Sequence, residues 1–162
     1  EVCAGPRTDP EVTAWTCAAL KAAGKEPAVI EKEIPGFIGN RLQFAMLREA
    51  WALWASGAAS AEAIDTVVRN SFGRRVAITG PLESADVGGL QTMYHFGRSL
   101  MPHLDTDPEP AQAVARLVAD GADGLGNGRG VYDWSRRDGD ALVRGRMDEL
   151  FRWLKADRDR GV

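Results

Sequence analysis

The sequence is poor in the residues that build metal sites and disulfide frameworks. It has two cysteines and two histidines in 162 residues, and Cys3 and Cys17 have no second Cys or His at metal-ligand spacing. Two cysteines make no disulfide framework, so we expect reduced thiols and no bound metal. His95 and His103 lack an Asp or Glu placed to orient the ring, and we interpret both as structural.

Excess positive charge and long apolar runs are also absent. The net charge is -3, with 20 basic residues interleaved among 23 acidic ones, so no basic surface is expected to attract nucleic acid. No run approaches the roughly 20 apolar residues that span a bilayer, and no signal-peptide pattern occurs. These absences predict a soluble, cytoplasmic protein that binds neither nucleic acid nor membrane.

Residues 1–34 have the pattern strand, helix, strand. The strands are predicted over residues 1–4 and 27–30, and the helix between them begins at a Thr8-x-x-Glu11 capping box and ends at Gly24. A parallel sheet buries both faces of its strands, so we expect this sheet to continue outside the residues shown. We interpret residues 1–34 as the last part of an α/β domain whose other strands are missing.

Residues 35–162 are predicted to form an all-helical domain. The chain as a whole is therefore predicted to be mainly α, a helical bundle preceded by a truncated α/β remnant. Apolar residues recur at helical spacing in five segments. These segments run from Phe37 to Ser56, from the N-cap Ser60 to Gly73, from Pro81 to Leu100, from Pro108 to Gly121, and beyond Trp134.

The first of these helices is apolar around most of its circumference, which is typical of a helix packed on several sides. The other predicted helices can cover only part of that surface, so we predict a homodimer formed through the helical domain. The alternative is a five-helix monomer with an unusually apolar centre.

An asparagine in the first turn of this helix needs an explanation. Asn40 projects on the same sector as Phe44, Leu47 and Trp51, and a buried amide without a partner costs roughly 1–3 kcal/mol. Asn40 either caps the helix by accepting from free backbone N–H groups or faces a substrate. Spacing alone leaves both interpretations open.

Two further motifs have structural interpretations. The Gly-rich run over residues 124–130 follows a helix, whereas a dinucleotide fingerprint lies between a strand and a helix, so we interpret it as a loop that folds the tail back. Glu83 and Asp86 follow Pro81 closely, where carboxylates favour the positive end of the helix dipole.

The motifs in their order along the chain resemble the C-terminal part of the 3-hydroxyacyl-CoA dehydrogenase family. The most specific element is Pro-Gly-Phe-Ile-x-Asn-Arg at residues 35–41. The others are Thr8 with its helix, Gly24-Lys25-x-Pro27-x-Val29, Gly80-Pro81-x-Glu83-x-x-Asp86-x-x-Gly89-Leu90 and Gly128-x-Gly130-x-Tyr132.

The resemblance implies a two-domain enzyme of fatty-acid β-oxidation, an NAD-dependent L-3-hydroxyacyl-CoA dehydrogenase that oxidises its substrate to a 3-oxoacyl-CoA. The resemblance implies that NAD is bound mainly by an N-terminal Rossmann-like domain, of which residues 1–34 are the last part. It also implies that the helical domain of residues 35–162 completes the acyl-CoA cleft and forms the dimer. By residue matching, Asn40 takes the role of the Asn that hydrogen-bonds near the reacting oxygen, and Glu1 that of the Glu that orients a catalytic His. That His and the nucleotide fingerprint lie outside this sequence, so the fragment alone is expected to be inactive.

The sequence departs from the family pattern near its end. Gly126 and Asn127 stand where the family commonly has a Lys, which can approach the cofactor, followed by Ser or Thr. The last helix also extends further than in the short-chain enzymes. Same-fold dehydrogenases of carnitine or a sugar acid therefore remain alternatives, as does a non-catalytic helical dimerisation module.

Overall fold

The computed structural model describes residues 1–160 and is mainly helical, which confirms the predicted fold class. The strands are β1 (Val2–Cys3) and β2 (Val29–Ile30). The helices are α1 (Pro10–Ala22), α2 (Phe37–Ala55), α3 (Ala61–Asn70), α4 (Phe72–Gly88), α5 (Leu90–Leu100), α6 (Gln112–Ala119) and α7 (Gly139–Arg160). No helix among these residues is long and apolar enough to cross a bilayer.

The chain divides into two compact units, residues 1–50 and 51–162. In the first unit β1 and β2 pair in parallel, with Val2 opposite Val29 and Cys3 opposite Ile30. This confirms the strand, helix, strand pattern of the first 34 residues. The predicted domain boundary between residues 34 and 35 rests on the change in hydrophobic pattern and stays a prediction.

The N-cap of α1 differs from the predicted capping box. Asp9 is the N-cap, and its side chain accepts from the amide of Glu11 at 3.0 Å, while the Thr8 hydroxyl accepts from the amide of Gly5. Pro10 provides the reason, because a proline favours the first helical position and so makes the residue before it the cap. Gly24, with φ of 72°, ends the helix as predicted.

Helix α2 has the predicted extent, but the prediction that it is packed on several sides is wrong for the single chain. Leu42 and Phe44 are more than half exposed, and Ile30, 6% exposed, is the only fully buried hydrophobic residue among those described. A single copy of this chain therefore leaves much apolar surface in contact with solvent.

The turns between α3, α4 and α5 differ from prediction at two glycines. Gly73 lies inside α4 and does not end α3; a Cβ there would lie 2.6 Å from the carbonyl oxygen of Val68, so only glycine fits. Gly80, with φ of 64°, kinks α4 just before Pro81, as the predicted helix start implies. Gly89, with φ of 86°, then interrupts the segment that was predicted to be continuous to Leu100. Six α-helices therefore follow residue 35 within the described residues 1–160, one more than predicted.

Helix α6 begins at Gln112, later than the predicted start at Pro108. The carboxylates of Asp105 and Asp107 accept from the amides of Asp107 and Glu109. Side chains that capture nearby amides compete with helix formation, and this delays the start. Gly121, with φ of 76°, follows the helix end as predicted.

Candidate functional site

The turn that leads into α2 holds two consecutive residues in the left-handed region. Gly36 has φ of 80° and Phe37 has φ of 52°. A glycine adopts this conformation freely, whereas a residue with a Cβ pays about 1–2 kcal/mol. Strain of this kind is concentrated at functional sites, and here it sets the direction in which α2 starts.

The start of α2 is capped by a residue far away in sequence. Oε1 of Glu1 accepts from the amide of Ile38 at 2.7 Å and from the amide of Gly39 at 3.2 Å. Ile38 is 37 residues from Glu1 along the chain. The first amides of a helix have no partner within it, and this carboxylate supplies one for two of them. Glu1 therefore ties the residue before β1 to the first turn of α2.

Gly39 lies beside the carboxylate. A Cβ at this position would lie 3.4 Å from Oε2 of Glu1, which is a van der Waals contact. The helix start therefore has room for a side chain as small as that of alanine next to the bound carboxylate.

Asn40 lies in the same turn as the two amides that Glu1 binds. The expectation of a buried amide on an apolar sector is wrong, because Asn40 is exposed and Phe44 on the same sector is 57% exposed. The side chain of Asn40 has no hydrogen-bond partner among residues 1–160. The capping interpretation of Asn40 is wrong, because Glu1 caps α2 and because a capping side chain normally precedes the helix. The amide of Asn40 therefore has both its NH₂ group and its oxygen available to a ligand.

A surface depression adjoins the start of this helix. It has a volume of about 450 Å³ and is lined by residues 33–37, which include the apolar side chains of Ile34, Pro35 and Phe37 and the carboxylate of Glu33. Arg41 donates from Nη1 to the carbonyl oxygen of Pro35 at 3.4 Å, which links the depression to the first turn of α2. The strained turn, the depression and the two predicted site residues thus belong to one local structure.

The Gly-rich run in the second unit uses its polar groups internally. The amides of Gly124, Gly126 and Gly130 donate to the carbonyl oxygens of Arg129, Asp123 and Tyr132. A Cβ on Gly130 would lie 2.9 Å from the Cα of Gly124, so the two ends of the run are in contact. The interpretation as a folded loop is confirmed, and these amides are not free to cradle a phosphate.

The side chain of Asn127 makes all its hydrogen bonds within the same loop. Its Oδ1 accepts from the amides of Asp123 and Arg129, and its Nδ2 donates to the carbonyl oxygen of Gly121 at 2.6 Å. Gly126 stands where the resemblance implies the Lys that approaches the cofactor, and the next residue, Asn127, is a structural residue of the loop.

The sequence analysis missed a cluster that fastens the loop to α3. Tyr132 donates its hydroxyl to Oδ2 of Asp65 at 2.8 Å, and the guanidinium of Arg137 lies 4.0 Å from the centre of the Tyr132 ring. Partial burial and the hydrogen bond to Asp65 raise the pKa of Tyr132 above its usual 10.0. Tyr132 and Asp65 are 67 residues apart, and no local pattern pairs them.

Glu83 and Asp86 lie on the helical segment that follows the Gly80 kink, and both are exposed. Their positions suit the positive end of that segment. Among residues 1–160 no three His, Cys, Asp or Glu side chains lie together in a way that could hold a metal ion.

Residues 1–50 thus combine a parallel strand pair with a helix start at which Asn40 is accessible, and the rest of the described chain is mainly helical. The model of the 3-hydroxyacyl-CoA dehydrogenase C-terminal domain matches residues 36–134. The chain belongs to this family.

Three relatives show the breadth of the family around this chain. It is 34% identical to L-carnitine dehydrogenase of Streptomyces griseus over all of this chain and 44% of the relative. It is 30% identical to 5-formyl-3-hydroxy-2-methylpyridine 4-carboxylate 5-dehydrogenase of Mesorhizobium japonicum over 93% of this chain and 48% of the relative. With a 3-hydroxyacyl-CoA dehydrogenase of Gibberella moniliformis it shares 38% identity over 55% of this chain and 28% of the relative.

The fold matches a solved structure. A crystal structure of a 5-dehydrogenase of the same pyridine carboxylic acid, described as an NAD⁺-dependent dismutase, superposes with a TM-score of 0.87 and 28% identity, covering 94% of this chain and 50% of the other. This chain spans about half the length of the relatives it matches most fully.

Proposed function

We propose that this chain is the C-terminal part of an NAD-dependent dehydrogenase that oxidises the 3-hydroxyl group of a 3-hydroxy acid or its CoA thioester to a ketone. The observation that carries the proposal is the fixed position of the Glu1 carboxylate on the first turn of α2, beside the unpartnered amide of Asn40. Family membership supplies the class of reaction, and this geometry supplies two groups suited to it.

The two carboxylate oxygens of Glu1 have different surroundings. Oε1 is held by the two amides of α2, while Oε2 accepts no hydrogen bond among the described residues. Oε2 is therefore free to accept from the imidazole N–H of the catalytic His that the family resemblance implies. A base held in one tautomer and one orientation removes a hydroxyl proton efficiently, and a carboxylate anchored on a helix start is a firm support for it.

Asn40 is suited to the reacting oxygen. Its NH₂ group can donate to the substrate oxygen while the hydroxyl loses its proton and becomes a carbonyl. When the substrate and the N-terminal half of the full-length protein enclose it, such a dipole stabilises the charge that develops on this oxygen. Because no group among residues 1–160 binds the amide, this donation breaks no hydrogen bond within the described chain.

NAD, when bound, supplies the hydride acceptor. The amides of Gly124, Gly126 and Gly130 and the side chain of Asn127 are engaged within their own loop and are not available to the pyrophosphate of NAD. We therefore assign no residue of this chain to NAD and propose that the N-terminal half of the full-length protein binds it.

A 3-hydroxyacyl-CoA is the first candidate substrate, since the matched family carries that name. L-carnitine is the second candidate, because the relatives that act on it match the whole of this chain. Both molecules carry a hydroxyl on the third carbon of an acid, so the same Asn and Glu serve either. We place the acyl-CoA activity in fatty-acid β-oxidation and the protein in the cytoplasm, as proposals.

We propose a homodimer through the helical domain, supported by the exposed apolar side chains of α2. A non-catalytic helical module is the competing proposal. It offers no reason for an exposed Asn without a partner in the first turn of α2.

The decisive experiment is an assay of NADH formation by the full-length protein with 3-hydroxybutyryl-CoA, longer acyl-CoA homologues, L-carnitine and sugar acids. Activity on one of the first three, lowered more than about tenfold by Asn40→Ala, supports the proposal. No activity on any substrate, from a protein that binds NAD and is folded by circular dichroism, contradicts it.

A further inference from the structure

The Gly-rich loop contains a reactive pair of residues that the proposed function does not use. Asn127 is followed by Gly128, so no side chain shields the amide nitrogen between them. This amide has no acceptor among residues 1–160, and no hydrogen bond holds it. Asparagine is among the chemically labile residues of proteins, and a free amide that follows it is the nucleophile that can attack its side chain.

The side chain of Asn127 is folded over the residue that follows it. Its Oδ1 accepts from the amide of Arg129, two residues further on, at 3.3 Å. A hydrogen bond between an Asn side chain and the amide two residues later closes a turn around the residue between them, which here is Gly128. The side-chain carbon Cγ is therefore kept close to the Gly128 nitrogen, and holding two reacting groups together raises the rate of their reaction.

The hydrogen bonds at Oδ1 also suit the charge that the reaction develops. When the Gly128 nitrogen attacks Cγ, negative charge collects on Oδ1. This atom already accepts from the amides of Asp123 and Arg129, at 3.0 and 3.3 Å. Oriented backbone donors of this kind stabilise a tetrahedral intermediate. The loop thus provides an oxyanion site for its own side chain.

The other two asparagines of the chain lack these features. Asn70 is followed by Ser71, and the amide of Ser71 is engaged with a carbonyl oxygen of α3 at 3.0 Å. Asn40 is followed by Arg41 inside α2, where the helix fixes the backbone and the Arg41 side chain stands beside the amide. These two residues therefore serve as internal controls for Asn127.

We propose that Asn127 is a site of spontaneous deamidation. The Gly128 amide gives its proton to water and its nitrogen bonds to Cγ, and the Cγ–Nδ2 bond breaks as Nδ2 takes up a proton and leaves as ammonia. Water then opens the cyclic imide to aspartate or to isoaspartate, in which the backbone runs through the side-chain carbon. The reaction needs no enzyme and no oxidant, and it is independent of the dehydrogenase function proposed above.

The modification removes bonds that hold the loop. The product has no Nδ2 to donate to the carbonyl oxygen of Gly121, which the amide now contacts at 2.6 Å. Isoaspartate also lengthens the backbone between Gly124 and Arg129, which form a bridge across the loop. The same loop packs Leu125 against Gly139, the first residue of α7. We therefore expect modified protein to unfold at a lower temperature and the start of α7 to loosen.

The test incubates the full-length protein at mildly alkaline pH and follows its tryptic peptides by mass spectrometry. Each asparagine of this chain falls on its own peptide, because cleavage after Lys and Arg yields residues 33–41, 70–74 and 117–129. The acid form of peptide 117–129 should accumulate at least about tenfold faster than that of the other two. In concentrated urea the loop is lost, so Asn127 should react no faster there than in the folded protein.

Two variants complete the test. Asn127→Gln is the matched control, because its longer side chain must close a larger ring, and its peptide should stay unmodified. Asn127→Asp reproduces one product and should melt at a lower temperature than the wild type. An Asn127 that reacts faster in urea than in the folded protein overturns the proposal, because the loop would then protect the side chain. Similar rates for the three peptides in the folded protein also overturn it.

Discussion

Two asparagines in Gly-containing turns have opposite surroundings in this protein. Asn40, in the first turn of α2, has no side-chain partner, while Asn127, in the Gly-rich loop, makes three hydrogen bonds within its own loop. The first turn of α2 is capped by Glu1, whereas the Gly-rich loop is held by hydrogen bonds between its own residues. The side chain of Asn40, which has no partner and lies near the Glu1 carboxylate, can bind a ligand. The side chain of Asn127 has its hydrogen bonds satisfied and stabilises the fold.

The largest effect is expected at Glu1, which can break this comparison. Glu1→Gln retains an oxygen that accepts from the α2 amides but removes the negative charge, so the melting temperature of the full-length protein should change little. Turnover should fall by about 100-fold or more, because the base loses its ionic support. Steady-state kinetics and a thermal melt measure the two quantities. Full activity in Glu1→Gln would show that Glu1 only caps α2 and does not support the catalytic base.

Asn40→Ala should lower turnover of the full-length enzyme by more than about tenfold. Its stability should stay within about 0.5 kcal/mol of the wild type, since an exposed side chain without partners contributes little. Kinetics paired with denaturant unfolding test both halves. An unchanged rate rejects the substrate-facing role.

Asn127→Ala should have the opposite effect to Asn40→Ala, because it should lower stability and leave turnover unchanged. It should cost about 1 kcal/mol of folding free energy, because three hydrogen bonds in a solvent-accessible loop are exchanged for bonds to water. Turnover measured on the folded enzyme should not change. A loss of NAD affinity would show that Asn127 contacts the cofactor and is more than a structural residue of its loop.

The smallest effect is expected at Tyr132, which sharpens the structural side of the comparison. Its folded-state pKa is raised above 10.0 by partial burial and by Asp65, so its contribution to stability is complete below pH 10 and is lost as the pH rises through the folded-state pKa. Tyr132→Phe should cost about 0.5–1 kcal/mol at neutral pH and should flatten the decline of stability above pH 10. Urea unfolding across that range measures it, and an identical decline in both proteins contradicts the assignment.

Local chemistry made much of the fold predictable. Gly24 and Gly121 end helices where their left-handed conformation is needed, and Ser60 caps α3 through the amide of Ala63, as predicted. The missed features depend on competing or distant partners. Gly73 was interpreted as a stop signal because its close approach to the carbonyl of Val68 is a tertiary fact.

The site divides in the same way. Asn40 could be singled out because a polar residue on an apolar helix sector is visible in the spacing of one segment. The pairing of Glu1 with the amides of α2 joins residues 37 positions apart, and only the resemblance to a family drew attention to Glu1 at all. Neither the spacing of residues nor the family resemblance indicated that Glu1 caps α2.

The sequence by itself determined which segments are helical, where most of them end, and to which family the chain belongs, because these depend on side-chain periodicity and on motifs read along the chain. Only the tertiary structure decided which polar groups are hydrogen-bonded within the protein and which have no protein partner. The choice between capping and ligand binding at Asn40 depended on whether another group already held the amides of the helix, and that group arrives from a distant part of the chain.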